Sequence, residues 1–170
     1  TEGNLLAAVQ EIEKLKLLSN SEHLDVATIQ ASIADSARYD VFGLVDSALA
    51  GDTERSLRIL AGLRSEGVET PFILWAVARD IRLLANLAQE VSQGTPLDRA
   101  LSRVWPAPRK TLFTKALRRR SATQWQALLK DAQLIDEQSK GQAIGDPWIG
   151  TAALLIKMSG AQLPFFSSMH

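Results

Sequence analysis

The chain has 170 residues, 46% of them hydrophobic and 22% charged, which suffices for the core of one ordinary domain with a small appendage and excludes a disordered chain. It contains no cysteine, so a disulfide framework, a thiolate metal site and a cysteine nucleophile are excluded together, and a reducing, cytoplasmic setting fits. Lys plus Arg equal Asp plus Glu at 19 each, but Arg99, Arg103, Arg109, Lys110, Lys115, Arg118, Arg119 and Arg120 follow one another with no acidic residue between them. A cationic region on an otherwise acidic body is implied.

Thr1-Glu2-Gly3-Asn4 shows no export signal, and every apolar run falls short of the ~20 residues that span a bilayer, so no membrane role is expected. A start without Met fits an excised piece of a longer protein. Nearly all of the sequence repeats its apolar residues at the 3.6-residue period, with no alternating strand pattern, and the expected class is all-α.

Asn4 caps a first predicted helix with Leu5, Val9, Ile12 and Leu15 to Leu18 on its apolar stripe, and Ser19-Asn20-Ser21 ends it. Asp25 caps a second through Val26, Ile29 and Ile33, after which Asp35 to Tyr39 reads as a joint. Two helices cannot enclose a core, so residues 1–38 read as the end of one domain and 39–170 as a second, helical one.

Asp40 is the expected cap of a third helix that stops at Gly51, and Asp52 opens a fourth with Leu57, Leu60 and Leu63 on one face, ending by Gly67. Pro71 begins a fifth helix reaching about Ser92. Its first half, Phe72 to Ala78, is apolar nearly all round, which places it at the centre of a bundle. Arg79, Asp80 and Arg82 interrupt it and read as a solvated or mutually paired patch.

Thr95 and Pro96 form a cap and first-turn pair for a short helix through Leu97, Ala100, Leu101 and Val104. Trp105-Pro106-Ala107-Pro108 breaks the chain, because each proline lacks a donor and restricts its predecessor. From Pro108 a seventh helix carries Leu112, Phe113, Ala116 and Leu117 inward. Ser121-Ala122-Thr123-Gln124 has the form of a capping box, opening an eighth helix with Trp125, Leu128, Leu129, Ala132 and Ile135 inward. Asp146-Pro147 starts a ninth, which Gly160 stops, and the tail Leu163-Pro164-Phe165-Phe166 is expected to pack or fray. Trp75, Trp125 and Trp148 occupy apolar helical positions and read as core, whereas Trp105 lies in a loop.

Signals for catalysis are missing. The two histidines, His23 and His170, fall in a loop and at the chain end, and neither a Gly-x-Ser-x-Gly elbow nor a phosphate-cradling glycine loop is present. Asp131, Asp136 and Glu137 read as an acidic helix face. No enzyme activity, metal or cofactor is expected.

The cationic stretch has two readings of equal weight. Guanidinium and ammonium groups beside an unstacked indole suit a nucleic-acid strand, Trp105 offering the stacking face. The same residues also suit a solvated helix face paired with acidic groups of this chain or of a partner. A helix-turn-helix with its turn at Arg120-Ser121 is disfavoured by the lack of a glycine there.

Longer-range order then carries a resemblance. Gly3-Asn4 with Glu11-Ile12-Glu13-Lys14-Leu15 resembles the lid helix of the delta subunits of bacterial DNA polymerase III, the clamp-loader family. Asp40-Val41-Phe42-Gly43-Leu44-Val45-Asp46-Ser47-Ala48-Leu49-Ala50-Gly51-Asp52 is similar to the opening of that family's collar domain. Arg58-Ile59-Leu60, Leu63-Arg64, Glu66-Gly67, Leu74, Ala78-Arg79 and Ile81-Arg82-Leu83-Leu84 continue in the family's order. The resemblance implies that 1–38 is the end of a helical AAA+ lid and 39–170 the helical collar. It also implies assembly with gamma or tau and delta prime, and loading of a sliding clamp on primer-template DNA, with the clamp gripped only by an N-terminal domain not included here.

ATP is bound by gamma or tau in that family. ATP-binding relatives place a sensing arginine in a Gly-Ser-x-Arg motif where this chain has Gly3-Asn4-Leu5-Leu6, and Leu6 cannot contact a phosphate. Some members use a loop tryptophan and a second aromatic residue near DNA. Trp105 matches the first position, and the second holds Lys140, which suits a phosphate and not a stacked base. The expected DNA-contacting set is Trp105, Arg109, Lys110, Lys115, Arg118, Arg119 and Lys140.

Overall fold

The computed structural model describes Gln10 and residues 26–161, and among them every regular element is helical. Apart from Gln10, the predicted helix over 4–18 lies outside the described residues, as do His23 and the tail from Leu163. The chain divides into two compact units, Thr1–Tyr39 and Asp40–His170.

The described helices are α1 (Val26–Ala50), α2 (Thr53–Ser65), α3 (Thr70–Ser92), α4 (Leu97–Ala100), α5 (Arg109–Arg119), α6 (Ala122–Ser139) and α7 (Pro147–Ser159), with a 3₁₀ turn at Leu101–Arg103 after α4. The expected joint at Asp35 to Tyr39 is not a break, and Asp40 lies inside α1 and does not start a helix. No glycine or proline lies between Val26 and Phe42, and the polar residues there cost at most ~0.7 kcal/mol each in a helix.

Asp40–His170 is built around α3. Ile73, Leu74, Ala76, Val77, Ile81, Leu84, Ala85, Leu87 and Ala88 are buried along it, and α4, α5, α6 and α7 all pack on it, α6 most extensively. From α1 come Val41, Leu44, Val45, Ala48 and Leu49, from α5 Phe113 and Ala116, from α6 Trp125, Leu128, Ala132 and Ile135, and from α7 Leu154, Leu155 and Met158. Trp125 is fully enclosed as its periodicity predicts, and Trp148 is half-buried with Arg64 5.3 Å from its ring. Trp75 departs from expectation, for it is 55% exposed, whereas the neighbouring Leu74 is buried.

Helix ends follow the sequence signals closely. Gly51 takes φ +87°, and the Asp52 amide bonds back to the Ser47 carbonyl at 2.9 Å, closing α1. The Asp52 carboxylate then accepts from the Arg55 amide at 3.0 Å and opens α2. Ser121 and Gln124 form both bonds of a capping box, and Asp146 accepts from the amides of Trp148 and Ile149. Thr95 makes no cap. Pro96 is the N-cap of α4 without a side-chain bond, and the predicted helix to Val104 tightens into the 3₁₀ turn after one turn.

Phe113 is fully buried where α5 meets the core. Phe113→Ala should cost about 3–5 kcal/mol through lost transfer energy and the residual cavity, measured as the fall in unfolding free energy in urea.

Candidate nucleic-acid interface

A helix that begins after two prolines has its direction set by what holds its first turn. Arg109, the first residue of α5, is held from two sides: its Nε donates to Asp46 of α1 at 2.9 Å, and an Nη donates to Asp80 of α3 at 2.5 Å. Asp80 is 1% exposed and also accepts from Arg79 Nε at 3.2 Å. The Arg109 guanidinium lies 5.2 Å from the Phe113 ring as well. Burial pushes the Arg109 pKa down, but the hydrogen bonds and charges of Asp80 and Asp46 outweigh it and raise the pKa above the ordinary arginine value. Of the patch expected at Arg79, Asp80 and Arg82 to be solvated or mutually paired, Arg79 and Asp80 are paired, with the carboxylate interior, and Arg82 is exposed.

The other end of α5 is fastened by its last arginine and by the residue after it. Arg119 donates to the carbonyls of Met158 at 3.0 Å and Leu49 at 3.1 Å, so one guanidinium serves the C-terminal ends of α7 and α1. Burial, with the neighbouring Arg120 second, lowers the Arg119 pKa. Arg120 Nε donates to the Lys157 carbonyl at 2.9 Å. Gly160, at φ +87°, leaves the space that the Arg119 side chain fills, and a Cβ there would overlap it.

Between these fastenings α5 turns its polar face outward. Lys110, Thr111, Thr114, Lys115 and Arg118 recur at helical spacing and line an open groove of about 430 Å³, completed by Asp98 and Leu101. Thr114 Oγ1 donates to the Lys110 carbonyl at 2.8 Å. Among the described residues none of Lys110, Lys115 and Arg118 forms an ion pair, so three cations face the groove against the single carboxylate of Asp98. Trp105 is 82% exposed in the loop that leads into α5.

The seven residues expected to meet DNA are therefore separated by the fold. Lys110, Lys115 and Arg118 share one groove, and Trp105 stands open in the preceding loop. Arg109 and Arg119 have their guanidinium groups engaged inside the protein. Lys140 lies at the end of α6, paired with Asp136 at 2.5 Å. Of the other basic residues in the stretch, Arg103 pairs with Glu90. On the acidic face, Asp131 meets Lys157 at 2.8 Å. No cluster of metal-ligating side chains occurs among the described residues, and no helix among them is long and apolar enough to cross a membrane.

Sequence reasoning missed that Asp46 and Asp80 hold Arg109. Asp80 had a visible signal, a carboxylate inside a helix that is otherwise apolar enough to be central, and a buried acid requires a cation.

Residues 41–163 match the family model described as "Processivity clamp loader gamma complex DNA pol III C-term". The chain is similar to "DNA polymerase III subunit delta" of Escherichia coli (strain K12), 38% identical over 160 residues that cover 91% of this chain and 46% of that protein. It is also similar to the protein of the same name from Haemophilus influenzae, 25% identical over 167 residues covering 92% and 48% respectively. The chain thus spans less than half the length of the curated relatives it matches.

Asp80→Ala leaves the Arg109 guanidinium without its interior partner and should cost about 3 kcal/mol. Asp80→Leu combined with Arg109→Leu should be less damaging than either single change, because no charge is then stranded. Urea unfolding of wild type, Asp80→Leu, Arg109→Leu and the double variant closes the double-mutant cycle, with Asp80→Ala measured beside it.

Proposed function

The chain belongs to the clamp-loader family of DNA polymerase III, matching its C-terminal region, and from that premise we propose that it is a non-catalytic part of a delta subunit that helps load a sliding clamp on primed DNA. Residues 39–170 act as a helical collar that joins gamma or tau and delta prime, and 1–38 form the end of the lid that precedes it. The sliding clamp is reached only through a domain outside this chain. No cofactor is assigned to these residues.

The observation that carries the DNA side of this reading is the groove of Lys110, Lys115 and Arg118, three cations that form no ion pair among the described residues, on the helix that follows the loop of the exposed Trp105. Side chains of this kind attract a phosphate backbone by neutralising charge and releasing counterions, and they do so whatever the base sequence. Trp105 supplies a face on which a base at the primer-template junction stacks. Lys140 adds charge at a second place once its exposed pair with Asp136 opens, since such pairs are held by ~1 kcal/mol or less. Arg109 and Arg119 serve the interface by fixing α5, a role distinct from direct contact.

Neutralising Lys115→Gln and Arg118→Gln together should make the plot of log affinity for single-stranded DNA against log salt shallower by roughly 1.4, at about 0.7 per lost phosphate contact. Fluorescence anisotropy across a salt series reads this out, and an unchanged slope removes the groove from the DNA path. Trp105→Ala should weaken binding by about 1–3 kcal/mol without altering the slope. Arg119→Gln, in contrast, should lower the thermal midpoint and leave the slope as it was, because its donors serve carbonyls of this chain. Co-elution of the chain with purified gamma or tau and delta prime tests the assembly side, and separate migration at micromolar concentration overturns it.

A further inference from the structure

A second face of the Asp40–His170 unit has features that the DNA groove does not use. Trp75 is 55% exposed on the most central helix of the bundle, yet its ring is held from two directions. It lies parallel to the Phe72 ring, with 6.3 Å between centroids and 7° between planes. The Arg79 guanidinium sits 5.4 Å from it and 5.3 Å from the ring of Phe42. Arg79 is in turn anchored on the buried Asp80. An aromatic side chain fixed this way loses little further freedom on contact, the property that marks an anchor residue at an interface.

Beside Trp75, an open groove of about 460 Å³ runs between α3 and α6. Leu74, Ala78, Leu129 and Ala132 make its apolar lining, and Arg82 and Asp136 its charged rim. Asp136 is neutralised by Lys140, and Arg79 by Asp80. Arg82 is exposed and forms no ion pair among the described residues. The face therefore offers an apolar cleft, a rigid indole and one uncompensated positive charge.

We propose that this face docks an acidic amphipathic helix of a neighbouring protein subunit, with its apolar side chains in the α3–α6 cleft against Trp75 and a carboxylate on Arg82. The proposal rests on the reading that this chain works inside a multisubunit clamp loader. Charge decides the occupant. A nucleic-acid strand takes several unpaired cations, as on α5, and finds one here. A second copy of this chain across a two-fold axis would set the same patch, with its uncompensated positive charge, against itself. A helix with aliphatic residues on one face and an acidic residue beside them satisfies both the cleft and the charge, in the manner of other grooves formed between two helices.

The test is calorimetric titration of the full chain with purified gamma or tau and delta prime subunits. Trp75→Ala and Arg82→Glu are each expected to weaken association by about tenfold or more, with Arg82→Lys close to wild type and Lys130→Glu, an exposed charge change elsewhere on α6, without effect. Arg82 is a surface residue, so its variants keep the test open where Trp75→Ala fails to fold. Wild-type association with both variants within about twofold of it overturns the docking face and leaves the assembly reading standing. A wild-type chain that binds none of these subunits overturns the assembly reading and the docking face with it. Loss of self-association by sedimentation, or of single-strand binding, in place of lost subunit binding would assign the face to a different occupant and equally overturn the proposal.

Discussion

A carboxylate that is 1% exposed in the middle of an apolar helix must be met by a cation, because an isolated buried charge costs several kcal/mol. In this chain Asp80 is met by Arg109, and the rest of the cationic surface depends on that contact. Arg109 also reaches Asp46, so one guanidinium joins α1, α3 and α5 at the point where a proline-rich loop delivers the chain into α5. Without it the seating of α5 would rest on the apolar contacts of Leu112, Phe113, Ala116 and Leu117, which specify burial but hardly rotation about the helix axis. Ionic contacts are directional. Their geometry fixes which face of α5 points outward, and hence that Lys110, Lys115 and Arg118 share a groove.

The far end of the same helix is fastened by a different kind of electrostatics. Arg119 places its donors on carbonyls at the ends of α1 and α7, groups that no amide of their own helices can satisfy. Cation and helix dipole reinforce each other there. Thus α5 is held at one end by carboxylates and at the other by backbone oxygens, and only the positions between carry unpaired charge. Arginine suits both fastenings better than lysine, since its planar fork reaches two acceptors at once.

Much of this fold was legible in the sequence. The glycine at 51, the capping box at Ser121, the Asp146-Pro147 start and the centrality of the helix after Pro71 depend on neighbours within a few residues, and the periodic stripes of α5 and α6 pack as they read. The uninterrupted course of α1 was not legible in the same way, because Asp35 to Tyr39 contains residues tolerated both in a joint and in a helix. Trp75 was misplaced for a related reason. An almost wholly apolar helix gives no angular signal, so its one exposed aromatic cannot be told from its buried neighbours by period alone.

The candidate site was less legible than the fold, and Arg109 and Lys110 show why. They are adjacent in sequence and alike in charge, yet one is tied between Asp46 and Asp80 and the other opens onto the groove. What separates them is where carboxylates from α1 and α3 arrive in space, and local composition does not encode that. A run of basic residues therefore reports a charge density summed over two roles, internal fastening and external attraction. Only the tertiary positions of the acidic residues divide it. Here the division leaves three cations facing outward on α5 between arginines engaged within the protein, so that the residues holding the surface in place and the residues available to a phosphate lie on the same helix.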